Sequence, residues 1–187
     1  MRSICVFCGS SPGNRPEYLQ MARATGRLIA ERQLTLVYGG GKVGLMGAIA
    51  DSALAAGGRV IGVIPQMLLD REVGHPGLTE LHVVTTMAER KLLMGELSDG
   101  FLTLPGGIGT MDELFEAWSW TQLGLHGKPS GLLNYQGYYD ALVQFLDLAV
   151  SEGFQRPRHR AALLVDTEIE PLLDQLQAAA KTAPPAQ

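Results

Sequence analysis

The chain has 187 residues, 46% of them hydrophobic, and a formal net charge of −4. That length and apolar content suit one domain with a sizeable core and exclude a disordered chain. The acidic balance excludes a general nucleic-acid binder, which needs a basic face for the phosphates.

The first apolar run, Ile4 to Cys8, is short and no stretch is long enough to span a bilayer. No secretory leader is visible, so a soluble cytoplasmic protein with no membrane contact is expected. "RSICVFC" reads as a strand. From about Pro16 to Gln33, Leu19, Ala22, Leu28 and Ile29 recur at helical spacing. "LTLVY" (34–38) predicts a second strand, and "GLMGAIADSALAAG" (44–57) a helix stopped by Gly57 and Gly58. "RVIGVIP" (59–65) is a third strand. A loop punctuated by Pro65, Gly74, Pro76 and Gly77 then runs to about Thr79. "ELHVV" (80–84) is the fourth strand, "MAERKLLMGELSD" (87–99) a helix and "GFLTLP" (100–105) the fifth strand. "MDELFEAWSWTQLG" gives the next helix, beginning after Thr110. "SGLLNY" (130–135), a helix near 137–152, "ALLVD" (162–166) and a helix near 168–180 complete one domain over 1–180. "KTAPPAQ" (181–187) is expected to be a frayed, disordered tail. Arg156, Arg158, His159 and Arg160 form a local basic cluster, read as a solvated loop.

Short apolar strands alternating with helices predict right-handed βαβ units, hence an α/β fold with a doubly wound parallel sheet and helices on both faces. Ligands of such sheets sit outside the carboxyl ends of the strands. Two of the segments found there are glycine-rich and open helices: Gly39-Gly40-Gly41 and Pro105-Gly106-Gly107.

In the first, Gly39, Gly41 and Gly44 satisfy the G-x-G-x-x-G dinucleotide fingerprint. The fingerprint also needs an acidic residue at the end of the next strand, and that strand ends in Pro65. A nicotinamide or flavin cofactor is therefore not expected. In the second, Gly106, Gly107 and Gly109 let backbone amides approach a ligand, and the helix that follows favours a phosphate. Thr110 can add a hydroxyl. Two carboxylates, Asp112 and Glu113, stand beside that anion site. Thr110-Met111-Asp112-Glu113 fits a capping box, which gives Glu113 a purely structural role. Thr86-Met87-Ala88-Glu89 fits one too. Against that reading, Arg90 and Lys91 sit near a helix start, on the wrong side of the dipole, and call for a nearby carboxylate or phosphate. If the adjoining strands are neighbours, Arg90 can orient Glu113 while Lys91 and the glycines hold phosphate. Cys5 and Cys8 lie along a strand, about 10 Å apart and too far for a disulfide, so both read as structural. His75, His82, His126 and His159 are scattered, and no metal site is expected.

"MAERK" (87–91), "PGGIGTMDE" (105–113) and "GGGKVGLMG" (39–47) together resemble the Lonely Guy family of cytokinin riboside 5'-monophosphate phosphoribohydrolases, often labelled lysine decarboxylases. The likeness runs from "CVFCGSS" to about Phe154 and includes "WTQLGLHGKPSGLLN" and "GYYDAL". The resemblance implies a Rossmann-like fold, no cofactor, and a homodimer with the site near its interface. It implies hydrolysis of the N-glycosidic bond of a nucleoside 5'-monophosphate to free base and ribose 5-phosphate. Arg90 and Glu113 would be the catalytic pair. Ser10, Glu72, Lys91, Gly106, Gly107, Ile108, Gly109, Thr110 and Ser119 would contact the nucleotide. A plain AMP nucleosidase and a non-catalytic nucleotide sensor remain as alternatives.

Overall fold

The computed structural model describes residues 1–71 and 74–182. The seven expected strands form: β1 (Ser3–Phe7), β2 (Thr35–Tyr38), β3 (Val60–Pro65), β4 (Glu80–Val84), β5 (Phe101–Thr103), β6 (Ser130–Leu133) and β7 (Leu163–Asp166). They make one parallel sheet in the order β4-β3-β2-β1-β5-β6-β7. Strand order reverses at β1, because β2, β3 and β4 build out on one side and β5 on the other. The loops leaving β1 and β5 therefore diverge and open a crevice between them.

The central strands read as continuous apolar runs because both their faces are covered. Along β1, Ile4 and Val6 point to one layer and Cys5 and Phe7 to the other. The first layer holds α1 (Pro16–Glu31), α2 (Gly44–Ala55) and α8 (Ile169–Thr182), which bury Ile29, Ile49 and Leu172. The second holds α4 (Met87–Glu96), α5 (Ile108–Leu123) and α6 (Asp140–Ser151), with Met94, Ala117 and Leu146 buried. No helix among the described residues is long and apolar enough to cross a membrane.

Several local expectations need correction. The loop after β3 contains a one-turn helix, α3 (Gln66–Leu69). The basic cluster lies on a short helix, α7 (Pro157–Ala161), begun by Pro157, whose missing N–H costs nothing there. Its Arg160 reaches Asp147 at 2.8 Å. α8 runs to Thr182, so the expected tail is helical at Lys181 and Thr182, and 183–187 lie outside the described residues. β4 is an edge strand, separated from β5 by β3, β2 and β1. The starts of α4 and α5 are therefore not brought together by neighbouring strands.

The largest correction concerns α5. It begins at Ile108, not after Thr110, with Gly107 as its N-cap. Gly107 is extended (φ −95°, ψ −153°) and its carbonyl accepts from the Met111 amide at 3.1 Å, closing the first turn three residues earlier. Thr110 then falls inside the turn, 4% exposed and packed on Gly106. The Thr110–Glu113 capping box does not form. The Thr86–Glu89 box does: Glu89 N–H donates to Thr86 Oγ1 (3.1 Å) and Thr86 N–H to Glu89 Oε2 (3.2 Å).

Candidate active site

The two glycine loops do different work. In the β2–α2 loop, Gly44 has φ +62°, and a Cβ there would lie 2.2 Å from the carbonyl oxygen of Ser10. The Leu45 amide in the first turn of α2 donates to the Gly9 carbonyl at 3.1 Å. A Cβ on Gly39 would lie 2.0 Å from Arg90 Nη2. The fingerprint glycines therefore seat this loop on the β1–α1 loop and make room for an arginine. The N-terminus of α5 is left open. Among the described residues, nothing accepts a hydrogen bond from the amides of Gly107, Ile108, Gly109 or Thr110, and no side chain caps the helix. Four backbone donors at a helix start favour an anion.

These amides border a cavity of about 470 Å³ at the crevice between β1 and β5. That is ample for a small metabolite. Ser10 lines it with its neighbours in the β1–α1 loop, as do Gly106, Gly107, Ile108, Gly109 and Thr110. Beyond them the wall is apolar, with Leu45, Met46, Leu68 and Met87.

Arg90 and Glu113 meet on the same wall. Although β4 and β5 are far apart, α4 crosses back over the sheet and lays Arg90 across the ends of two strands. Arg90 Nε donates to the Val63 carbonyl and Nη2 to the Gly39 carbonyl, both at 3.1 Å. The remaining nitrogen, Nη1, lies 3.7 Å from Glu113 Oε1. The fork geometry of a guanidinium allows this division of labour; a single ammonium does not. The same contacts answer the misplaced charge at the start of α4. The side chains are 9% and 10% exposed. At 3.7 Å the pair is electrostatic rather than hydrogen-bonded.

Burial pushes the Glu113 carboxyl up from 4.5 to about 7. Arg90 opposes that rise, and Asp112 adds to it. Arg90 thus limits the shift without holding the carboxylate in the ordinary range. A carboxyl balanced near neutrality suits proton transfer.

Lys91 departs from expectation. Its Nζ sits 3.1 Å from Asp112 Oδ2 and 3.0 Å from Glu116 Oε2, tying α4 to α5 rather than lining the cavity. Asp112 takes one end of that tie. Ser119 is exposed and lines a second groove that shares only Asp112 with the first cavity. Glu72 lies outside the described residues. Sequence reasoning overlooked Tyr18 and Tyr138, which line the cavity as T-stacked rings 5.8 Å apart. Cys5 and Cys8 are free and buried, and burial raises both thiols, Cys5 well above its ordinary value. That matches inert structural cysteines.

Residues 46–176 match a family model described as "Possible lysine decarboxylase". A cytokinin riboside 5'-monophosphate phosphoribohydrolase of Rhodococcoides fascians is 50% identical over 170 residues, 90% of this chain and 86% of the relative. One from Arabidopsis thaliana is 45% identical, over 94% of this chain and 81% of the relative. The chain belongs to the Lonely Guy family. The fold itself is wider than that family. The molybdenum cofactor carrier protein of Chlamydomonas reinhardtii superposes with a TM-score of 0.71 at 20% identity, covering 96% of this chain and 98% of that one. This last likeness is one of fold alone.

The decarboxylase label of the family model does not fit the site. Pyridoxal chemistry needs a lysine to carry the Schiff base. Among the described residues none of those lining the cavity is a lysine: Lys91 is tied to two carboxylates, Lys128 Nζ donates to the Gly95 carbonyl and Lys42 is exposed.

Proposed function

We propose that this protein hydrolyses the N-glycosidic bond of adenine-type nucleoside 5'-monophosphates, cytokinin ribotides included, to free base and ribose 5-phosphate. The observation that carries the reading is the loose Arg90–Glu113 pair on the wall of a cavity whose floor is the open start of α5. A monophosphate on the α5 amides would place the ribose along the wall. Cleavage of the C1'–N9 bond builds positive charge on the sugar ring. Glu113 would stabilise that charge and take the proton of the water that attacks C1', while the base leaves with the bonding pair and is protonated. Arg90 sets the position and charge of Glu113 and keeps the strand ends in register. The Lonely Guy relatives bear names that specify this reaction, which supports the reading.

The test is base release from AMP, isopentenyl-AMP and adenosine, followed by chromatography. AMP and its prenylated form are expected to turn over. Adenosine is expected to be poorer in kcat/KM by roughly a thousandfold, the worth of two to three charge-assisted hydrogen bonds. Equal turnover of adenosine and AMP would rule out the phosphate cradle. Binding of AMP with no base released from any nucleotide would make the protein a sensor, and activity on AMP alone a plain AMP nucleosidase.

We further propose that the protein works as a homodimer through the outer faces of α5 and α6. Phe145, Leu148 and Phe154 are 62%, 54% and 90% exposed, and Leu123 and Leu125 at the end of α5 are similarly bare. That much uncovered apolar surface supports an interface there. It also gives Ser119 a route to nucleotide, as a residue facing a second copy. Light scattering is expected to return twice the chain mass. Phe145→Asp should lower the dimer mass toward that of the monomer. A monomeric wild type would remove the proposal.

A further inference from the structure

The open amides of α5 are useful only if the turn before them is held still, and that turn contains three glycines within four residues, Gly106, Gly107 and Gly109. Glycine peptides lose the most freedom when they are fixed. Successive carbonyls of the turn are each tied to a donor. The Leu104 carbonyl accepts from Tyr139 Oη at 2.8 Å, the Pro105 carbonyl from the Gly9 amide at 3.1 Å, and the Gly106 carbonyl from Tyr138 Oη at 2.8 Å. Two of the three ties come from adjacent tyrosines after β6.

The tyrosines are themselves anchored. Asn134 accepts from the Tyr139 amide (2.7 Å) and donates to Asp140 Oδ1 (2.7 Å), and its own amide reaches the Asp166 carbonyl at the end of β7 (2.8 Å). Gln136 and Gly137 turn the chain through positive φ, +51° and +73°, to present the pair. Edge-on contacts fix the Tyr138 ring: its centroid lies 4.7 Å from that of Tyr139 and 5.8 Å from that of Tyr18.

Tyr139 is buried, and its hydroxyl belongs to the core. Tyr138 is different. It is 43% exposed and lines the cavity, so a hydrogen bond from its hydroxyl contributes little to folding against competing water. Its consequence lies at the next peptide. In a trans peptide the carbonyl of one residue and the amide of the next point in opposite directions. Holding the Gly106 carbonyl on Tyr138 therefore fixes the direction of the Gly107 N–H, the first of the four open donors. The flanking carbonyls are held by backbone amides, that of Pro105 by Gly9 and that of Gly107 by Met111, and the one donor to the Gly106 carbonyl among the described residues is the Tyr138 hydroxyl.

Building on the proposed reaction, we infer that Tyr138 is a positioning residue for phosphate recognition: its hydroxyl sets the Gly106–Gly107 peptide so that the Gly107 amide faces the 5'-phosphate. It enters neither the reacting bond nor the proton transfer. Tyr138→Phe keeps the ring and both edge contacts and removes one oxygen.

In this variant KM for AMP is expected to rise about tenfold with kcat within about twofold, equivalent to one weakened charge-assisted hydrogen bond. Adenosine, lacking the phosphate, should keep its wild-type kcat/KM, and the melting temperature should stay within about 2 °C. Calorimetry with ribose 5-phosphate should show the same tenfold loss of affinity. An unchanged affinity for ribose 5-phosphate would overturn the inference. So would an equal loss for AMP and adenosine, which marks a structural role. Because ribose 5-phosphate binding needs no turnover, the calorimetric comparison still decides the role of Tyr138 if wild-type protein releases no base.

Discussion

Glu113→Gln is expected to reduce kcat for base release from AMP by about a thousandfold, the combined worth of charge stabilisation and general-base help. KM should change little, because the phosphate is held by the α5 amides and not by the carboxylate. The pH profile of the wild type gives an independent check. Only the ionised carboxylate can do this work, and burial has raised its pKa to about 7. kcat/KM should therefore climb about tenfold per pH unit below 7 and level off above it. The second ionisation of a phosphate ester lies near 6. A limb breaking there would belong to the nucleotide and would remove Glu113 from the profile. Stability should mirror this with the opposite sign. Between 4.5 and about 7 the folded protein holds a proton on Glu113 that the unfolded chain has released, so stability falls as pH rises through that window. Glu113→Gln should flatten that slope in urea titrations. Wild-type turnover by the variant would eliminate the assignment.

The strands and most helices were legible because their signal is local: unbroken apolar runs between glycine and proline punctuation. Connectivity was not. Nothing in β4 or β5 states that three strands separate them, and Arg90 reaches Glu113 because α4 crosses the sheet, not because the strands adjoin. Arg90 itself was legible, since a cation at a helix start needs a partner. Thr110 and Glu113 were misleading for a physical reason. Their spacing satisfies the capping box, but the extended Gly107 closes the turn earlier and draws Thr110 inside. Glu113 is thereby freed from a structural duty that the sequence pattern had assigned to it. Lys91 shows the converse limit. Its partners Asp112 and Glu116 lie one helix away, and a sequence shows the cation without showing which anion takes it. Tyr138 stood inside the run "GYYDAL", but no spacing assigned it a role, because a tyrosine in a loop acquires meaning only from the carbonyl it meets 32 residues away.

The glycines of the second loop separate packing from function in one experiment. A Cβ on Gly106 would lie 2.1 Å from Thr110 Oγ1 and 2.9 Å from the Gly9 amide nitrogen, so Gly106→Ala should lose about 1–3 kcal/mol of stability by overpacking, and substrate binding with it. At Gly107 and Gly109 a Cβ would meet nothing within 4 Å, and neither has a positive φ. No steric contact requires glycine at either place, although Gly107, as the N-cap of α5, sits where glycine is preferred to alanine. Gly109 even lies in the first turn of α5, where alanine is the better helix former by up to about 1 kcal/mol. If Gly109 were merely structural, alanine there would be neutral or beneficial in every assay. If the space is kept for phosphate, the added methyl groups stand between the anion and the amides. Gly109→Ala is therefore expected to melt at or slightly above the wild-type temperature, and Gly107→Ala a few degrees below it because alanine is a poorer N-cap than glycine, and yet both are expected to bind AMP roughly a hundredfold more weakly, the loss of about two charge-assisted hydrogen bonds. Thermal denaturation and calorimetry on the same samples measure both. Alanine variants that keep wild-type affinity for AMP would show that the phosphate does not sit on these amides. A Gly109→Ala variant that loses stability and affinity together would show that this glycine serves the fold after all.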